Sequence, residues 1–216
     1  MIARGRFIAL GGGEGSGKAT QAVLLAGQLG AELTREPGGT RLGEAVRAVF
    51  LDPKLGSVDA RAEVLLMAAQ RAQHVAEVIT PALQSGRWVV TDRFAGSTLA
   101  YQGYGRGIDP VAIRGILAWA AADLWPDLNI LLEVDVATME GRRRLRGEGL
   151  ARSAEPEDRM EAEDAAFHRR VGEGYRSMAA SDPAHWVVVD GAGAAEEVAR
   201  RIADAVAGHF DGVRQT

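Results

Sequence analysis

Residues Gly12 to Ala19 read Gly-Gly-Glu-Gly-Ser-Gly-Lys-Ala, between the apolar run Phe7 to Leu10 and the helix-prone Gln21 to Ala26. A strand, a glycine turn ending in Gly-Lys and a helix bring successive backbone N–H groups and a helix N-terminus onto one anion, with Lys18 as an added point charge. The expected ligand is a nucleoside triphosphate, held by Gly12, Gly13, Glu14, Gly15, Ser16, Gly17, Lys18, Ala19 and Thr20. The last position departs from the usual Ser or Thr: Ala19 lacks the hydroxyl that ligates Mg2+, and Thr20 comes one residue late. The competing reading is a glycine-rich turn with no ligand.

Short apolar runs alternate with longer amphipathic stretches along the chain. The runs Phe7 to Leu10, Ala31 to Thr34, Trp88 to Thr91, Leu128 to Val134 and Trp186 to Val189 have the length of buried parallel strands. Apolar residues recur at helical spacing in Leu42 to Phe50, Ala60 to Gln84, Pro110 to Ala122, Glu161 to Ala180 and Ala195 to Gly208. The alternation predicts an α/β chain: a three-layer P-loop NTPase fold, with a five-stranded parallel sheet flanked by helices and right-handed crossovers. Ligands should then gather at the C-terminal ends of the strands. A length of 216 residues suits a single domain, 1–216, with a short mobile lid.

Composition narrows the partners. A net charge of −4 argues against a nucleic-acid surface, so anionic ligands must be met by local charge. The absence of cysteine excludes disulfides and thiolate metal sites and suits a reducing, cytoplasmic setting. No apolar stretch reaches 18 residues, and the first residues do not form a signal peptide, so no membrane contact is expected.

Two further segments carry chemistry. The third apolar run ends in Asp92-Arg93, where a carboxylate can hold Mg2+ directly or through water and a guanidinium can fork onto a phosphoryl oxygen. The alternative is an ion pair that caps a strand. Thr34 to Thr40, Thr-Arg-Glu-Pro-Gly-Gly-Thr, is too rigid and glycine-rich for a helix interior, and Thr40 can cap the helix that follows. It is either a plain connection or a wall of the acceptor pocket in which Arg35 or Glu36 meets substrate.

Arg35-Glu36-Pro37-Gly38-Gly39-Thr40, Arg71-Ala72-Gln73-His74 and Asp92-Arg93-Phe94 followed by Ser97-Thr98 and Ala100-Tyr101-Gln102-Gly103 together closely resemble bacterial thymidylate kinases. Pro126-Asp127-Leu128 and Asp158-Arg159-Met160-Glu161 are similar to that family too, so the likeness runs from about Phe7 to Ile202. It implies transfer of the γ-phosphoryl group of ATP to dTMP with Mg2+ as cofactor, by a cytoplasmic homodimer. By motif position, Lys18 and Arg93 neutralise charge on the moving group, and Asp92 is linked to the metal. Glu14 faces the acceptor sugar, Arg71 a thymine carbonyl and Thr98 the ring N3, with Ser97 beside it. Tyr101 lies on the 2′ side of the sugar, and Glu36, Pro37, Met67 and Gln102 complete the acceptor site. His74 reads as a packing histidine rather than a base.

The segment 142–157, with Arg142-Arg143-Arg144-Leu145-Arg146 flanked by glycines, reads as a closing lid or as a basic helix end. The position before Gly17-Lys18 is not basic, and the family members that share this feature supply a lid arginine instead. That singles out Arg144 or Arg146 for the transferred group or the adenine. Three residues depart from the family pattern. Gly11 replaces a glutamate, Ala19 a hydroxyl, and Met67 an aromatic that stacks on the base. The rival functions are a nucleotide binder without catalysis and a kinase for another nucleoside monophosphate. A GTPase is disfavoured because Asn129 is the only asparagine, which leaves no Asn-Lys-x-Asp.

Overall fold

The computed structural model describes residues 3–135, 138, 141 and 158–213. Five parallel strands, β1 (Phe7–Gly11), β2 (Glu32–Arg35), β3 (Val89–Asp92), β4 (Leu128–Glu133) and β5 (Trp186–Asp190), form one sheet in the order β2-β3-β1-β4-β5. The expected fold class holds. Bounds differ from the expected ranges by one residue: β1, β2, β3 and β5 end one later, because parallel pairing continues past the apolar run, β2 and β3 also start one later, and β4 stops at Glu133, one short of Val134. Asp92 thus closes β3 in register with Leu10 of β1 and Arg35 of β2.

Alternation along β1 divides the core. Ile8 and Leu10 pack with Leu25 of α1 (Lys18–Leu29) and with the C-terminal helix at Ala195–Val213. Phe7 and Ala9 face the other way, toward α2 (Arg41–Leu51), α3 (Ala60–His74) and the helices that follow it. Side chains at successive strand positions point to opposite faces, so apolar surface covers both faces of the central strands and buries β1 and most of β3, while the edge strands β2 and β5 stay partly exposed.

The expected helix at Ala60 to Gln84 forms, with a five-residue π turn at Val75–Ile79 before α4 (Thr80–Gln84). Pro81 has no N–H to give to the preceding turn, and the wider turn absorbs that loss, with Thr80 N–H donating to Val75 O. The segment after Arg93 begins as α5 (Ala95–Thr98) and widens into a second π turn, Leu99–Gly105. Next, α6 (Pro110–Ala120) stops two residues early, where Ala122 and Asp123 turn left-handed at φ 49° and 57°. The helix expected from Glu161 starts later, as α7 (Ala165–Ser181), because the Asp164 carboxylate accepts from Phe167 N–H at 2.6 Å and caps it there. The last helix, α8 (Ala195–Val213), outlasts its expected end at Gly208.

Candidate active site

The phosphate loop leaves β1 through Gly12, whose φ is +138° and whose position has no room for a Cβ: the Leu132 carbonyl oxygen would stand 2.6 Å away. Lys18 turns back across the loop, with Nζ donating to Gly13 O at 2.7 Å and Ser16 Oγ at 3.3 Å. Gly17 caps α1 without a side chain, and the first turn of α1 carries no acid, which suits an anionic ligand at that helix end.

Arg93 follows β3 in the left-handed region, at φ 69°. Its N–H donates to Leu10 O at 2.9 Å, and its carbonyl accepts Thr91 Oγ at 2.9 Å, so bonds from two strands hold the strained residue. The guanidinium lies 5.0 Å from the Tyr101 ring centroid and donates to the Glu14 carboxylate and, at 3.2 Å, to Tyr101 Oη. Burial by itself would lower the Arg93 pKa; Glu14, Tyr101, Tyr175 and Asp92 together outweigh it and hold the value well above the ordinary one. Nη1 is buried with no hydrogen-bond partner in the protein.

A second buried guanidinium repeats the pattern. Arg71 Nε and Nη2 donate to Glu36 Oε2 at 2.8 and 2.6 Å, and Nη2 also reaches Thr98 Oγ1 at 3.1 Å, while Nη1 has no partner. The other Glu36 oxygen meets His74 Nδ1 at 2.9 Å. Burial pushes the Glu36 pKa up; Arg71 and His74 together reverse that and leave it lowered. Both Glu36 oxygens are thus engaged within the protein. Arg35 is turned outward onto Glu44, at 2.9 Å.

Apart from Gly12 and Gly13, every expected site residue within the described range lines one cavity of about 870 Å³. Glu14 to Thr20 form one part of its wall; Pro37, Met67, Arg71, Ser97, Thr98 and Tyr101 form another, with Asp92 and Arg93 also contributing. Gln102 lines it as well, although its amide is given to Glu63 Oε2 at 2.9 Å. Arg144, Arg146 and the expected lid at 142–157 lie outside the described residues.

The Asp92 carboxylate suits a cation. Its Oδ1 is buried without a hydrogen-bond partner, and no group of three metal-ligating side chains stands near it among the described residues. One carboxylate with ligand phosphates and water is a donor set that fits Mg2+.

Motif reading missed two supports. Glu63 is fully buried and takes Gln102, Arg106 at 2.9 Å and Arg159 at 2.6 Å, bracing the Gln102 wall. Tyr175 meets Ser97 at 2.7 Å. Both lie within amphipathic stretches, and only their burial marks them out.

The thymidylate kinase family profile matches residues 10–202. The thymidylate kinase of Cereibacter sphaeroides is 47% identical over 214 residues, 96% of each chain. That of Solidesulfovibrio magneticus is 47% identical over 201 residues, 91% of this chain and 96% of the relative. The crystal structure of thymidylate kinase from Ehrlichia chaffeensis superposes with a TM-score of 0.76 at 30% identity, covering 94% of this chain and 99% of the other.

Proposed function

The chain belongs to the thymidylate kinase family, and from that premise we propose how its residues move the γ-phosphoryl group of ATP to the 5′-phosphate of dTMP, giving ADP and dTDP. The observation that carries the reading is the single cavity joining the Lys18 loop to the Arg71 pocket, with Arg93 in its wall. An acceptor phosphate oxygen forms the new bond to phosphorus as the bond to the ADP oxygen breaks. Little covalent work falls to the protein, so its task is alignment and charge neutralisation.

Lys18 and the loop N–H groups hold the donor phosphates. Arg93 Nη1 is the free donor for the acceptor phosphate and the group in flight, and Glu14 orients it while facing the 3′-hydroxyl. Arg71 Nη1 donates to a thymine carbonyl, Thr98 meets N3, and the Met67 thioether packs on the ring. The Tyr101 ring closes the 2′ side. Asp92, with phosphate oxygens and water, would hold Mg2+, which when bound offsets phosphate charge. A lid arginine, Arg144 or Arg146, completes the neutralisation in this reading.

We further infer a homodimer formed through α3 and α6. These helices pack together and leave Leu65, Val111 and Trp119 exposed, the last by 85%. Light scattering of the protein and of Trp119→Asp tests it, with dimer and weakened dimer expected. The reading is cytoplasmic, in keeping with the absence of cysteine; no helix among the described residues is long and apolar enough to cross a membrane.

The function is tested by ADP release with Mg-ATP and a panel of monophosphates. Turnover strongly favouring dTMP is expected; none, or equal turnover of CMP and AMP, would defeat it.

A further inference from the structure

Tyr175, on α7, is absent from the cavity wall and is 1% exposed. It nevertheless touches both halves of the site. Tyr175 Oη lies 2.7 Å from Ser97 Oγ in the acceptor wall, and its ring stands against Gly11, the last residue of β1 before the donor loop. Burial raises the Tyr175 pKa, so the hydroxyl keeps its proton within the hydrogen bond it shares with Ser97.

The sequence makes room for this contact at one position. A Cβ on Gly11 would stand 2.9 Å from Tyr175 Cε1, closer than real Cβ contacts allow, so any side chain there displaces the ring from the strand end. Behind it, Trp186 lies 6.5 Å from the Tyr175 ring and packs on Gly96, where a Cβ would come within 2.9 Å of the indole. Gly11 and Gly96 thus set an aromatic pair against the end of β1 and the start of the acceptor helix. The departure from the family pattern at Gly11 has a physical counterpart: the space above it is filled by Tyr175.

We propose that Tyr175 is a positioning residue for phosphoryl transfer, its ring seated against Gly11 at the stem of the donor loop and its hydroxyl bonded to Ser97, and so fixing donor and acceptor segments relative to each other. Ser97 then acts through Tyr175 rather than on the base. The proposal rests on the kinase reading above. In-line transfer depends steeply on placement, a misalignment of about 1 Å costing about 10²-fold in rate. Each substrate keeps its own contacts when the link is cut, so the loss falls on turnover rather than on affinity.

The test is steady-state kinetics of Tyr175→Phe, Ser97→Ala and the double variant with dTMP and Mg-ATP, alongside the original protein. Tyr175→Phe keeps the ring and its packing. The expected result is a kcat lowered roughly tenfold in each single variant, both KM values within about twofold, and a double variant no slower than the slower single. The thermal midpoint of Tyr175→Phe should change little. Unchanged kcat in Tyr175→Phe overturns the proposal; so do losses that multiply in the double variant, or a raised KM at constant kcat. Should Tyr175→Phe fail to fold, Ser97→Ala decides: a kcat loss at constant KM supports the link, and any other pattern sinks it. Inactivity of the unaltered protein toward dTMP would instead defeat the kinase reading.

Discussion

Arg71 Nη2 lies 2.6 Å from Glu36 Oε2, with both side chains closed to solvent. The chain of contacts continues: His74 Nδ1 meets the other carboxylate oxygen at 2.9 Å, and His74 Nε2 meets Thr34 Oγ1 at 2.6 Å. The end of β2 and the last two turns of α3 thereby fix one guanidinium and leave a single nitrogen without a partner in the protein. Such a pair is costly to desolvate and costly to break, and its value lies in orientation.

Glu36→Gln should therefore weaken acceptor binding without touching the substrate. The KM for dTMP is expected to rise at least about tenfold while that for ATP moves less, and the fold should lose roughly 3 kcal/mol from the uncompensated buried charge. Kinetics and thermal denaturation of the variant check both. Equal changes in the two KM values would show that Glu36 supports the fold alone.

How much of this was legible in the sequence follows the kind of physics involved. The phosphate loop was readable because its constraint is local: Gly12 must be glycine at φ +138°, whatever its partners. Helix starts were readable where a cap stands in plain order, as at Thr40, which accepts from Gly43 N–H at 2.9 Å. The start of α7 was misplaced because Asp164 competes with a stretch from Glu161 that has helical spacing but turns before the cap. The roles of Glu63 and Tyr175 were hidden, since Arg159 and Ser97 reach them from 96 and 78 residues away. No local pattern encodes a contact of that range.

Acid should destabilise the protein in a defined window. Burial raises the pKa of Glu36 and Glu63, and their cationic partners more than offset it, so both are lowered in the fold. A carboxyl with a lowered folded pKa gives stability that is present above the ordinary value near 4.5 and is lost as pH falls through the folded value. The thermal midpoint is expected to fall from about pH 4.5 downward, and Glu63→Gln should be less stable at neutral pH with a flatter acid limb. An equally steep limb in Glu63→Gln would remove that carboxylate from the account.

Charge neutralisation should dominate the rate. Removing Lys18 or Arg93 takes away a preorganised cation, and Lys18→Ala and Arg93→Ala are each expected to lower kcat several hundredfold, about the scale of losing one charge-stabilising donor. Steady-state assays with folded variants check this, and near-normal kcat in either refutes its role.

Tyr101 separates two ways of excluding a ribose. Its hydroxyl is engaged with Arg93 and Glu14 at 3.2 Å, so the ring is the part left to limit the sugar. Tyr101→Phe should keep most of the preference for dUMP over UMP, and Tyr101→Ala should lose it. Retained preference in Tyr101→Ala would place the discrimination elsewhere.

Asp92 offers the sharpest test of the metal site, because Ala19 removes the hydroxyl that would otherwise share the load. Its Oδ1 is buried without a protein partner, and an amide there keeps the shape but not the charge. Asp92→Asn is expected to raise the Mg2+ concentration at half-maximal rate about tenfold, with part of the lost rate recovered at high Mg2+. Thermal stability should change little, since Oδ1 has no hydrogen-bond partner in the protein to lose. Titration of activity against free Mg2+ at fixed ATP measures the first effect and melting in the absence of metal the second. A Mg2+ dependence identical to that of the unaltered protein would mean that phosphates and water hold the ion alone, and Asp92 would then be a strand-end acid with no part in the reaction.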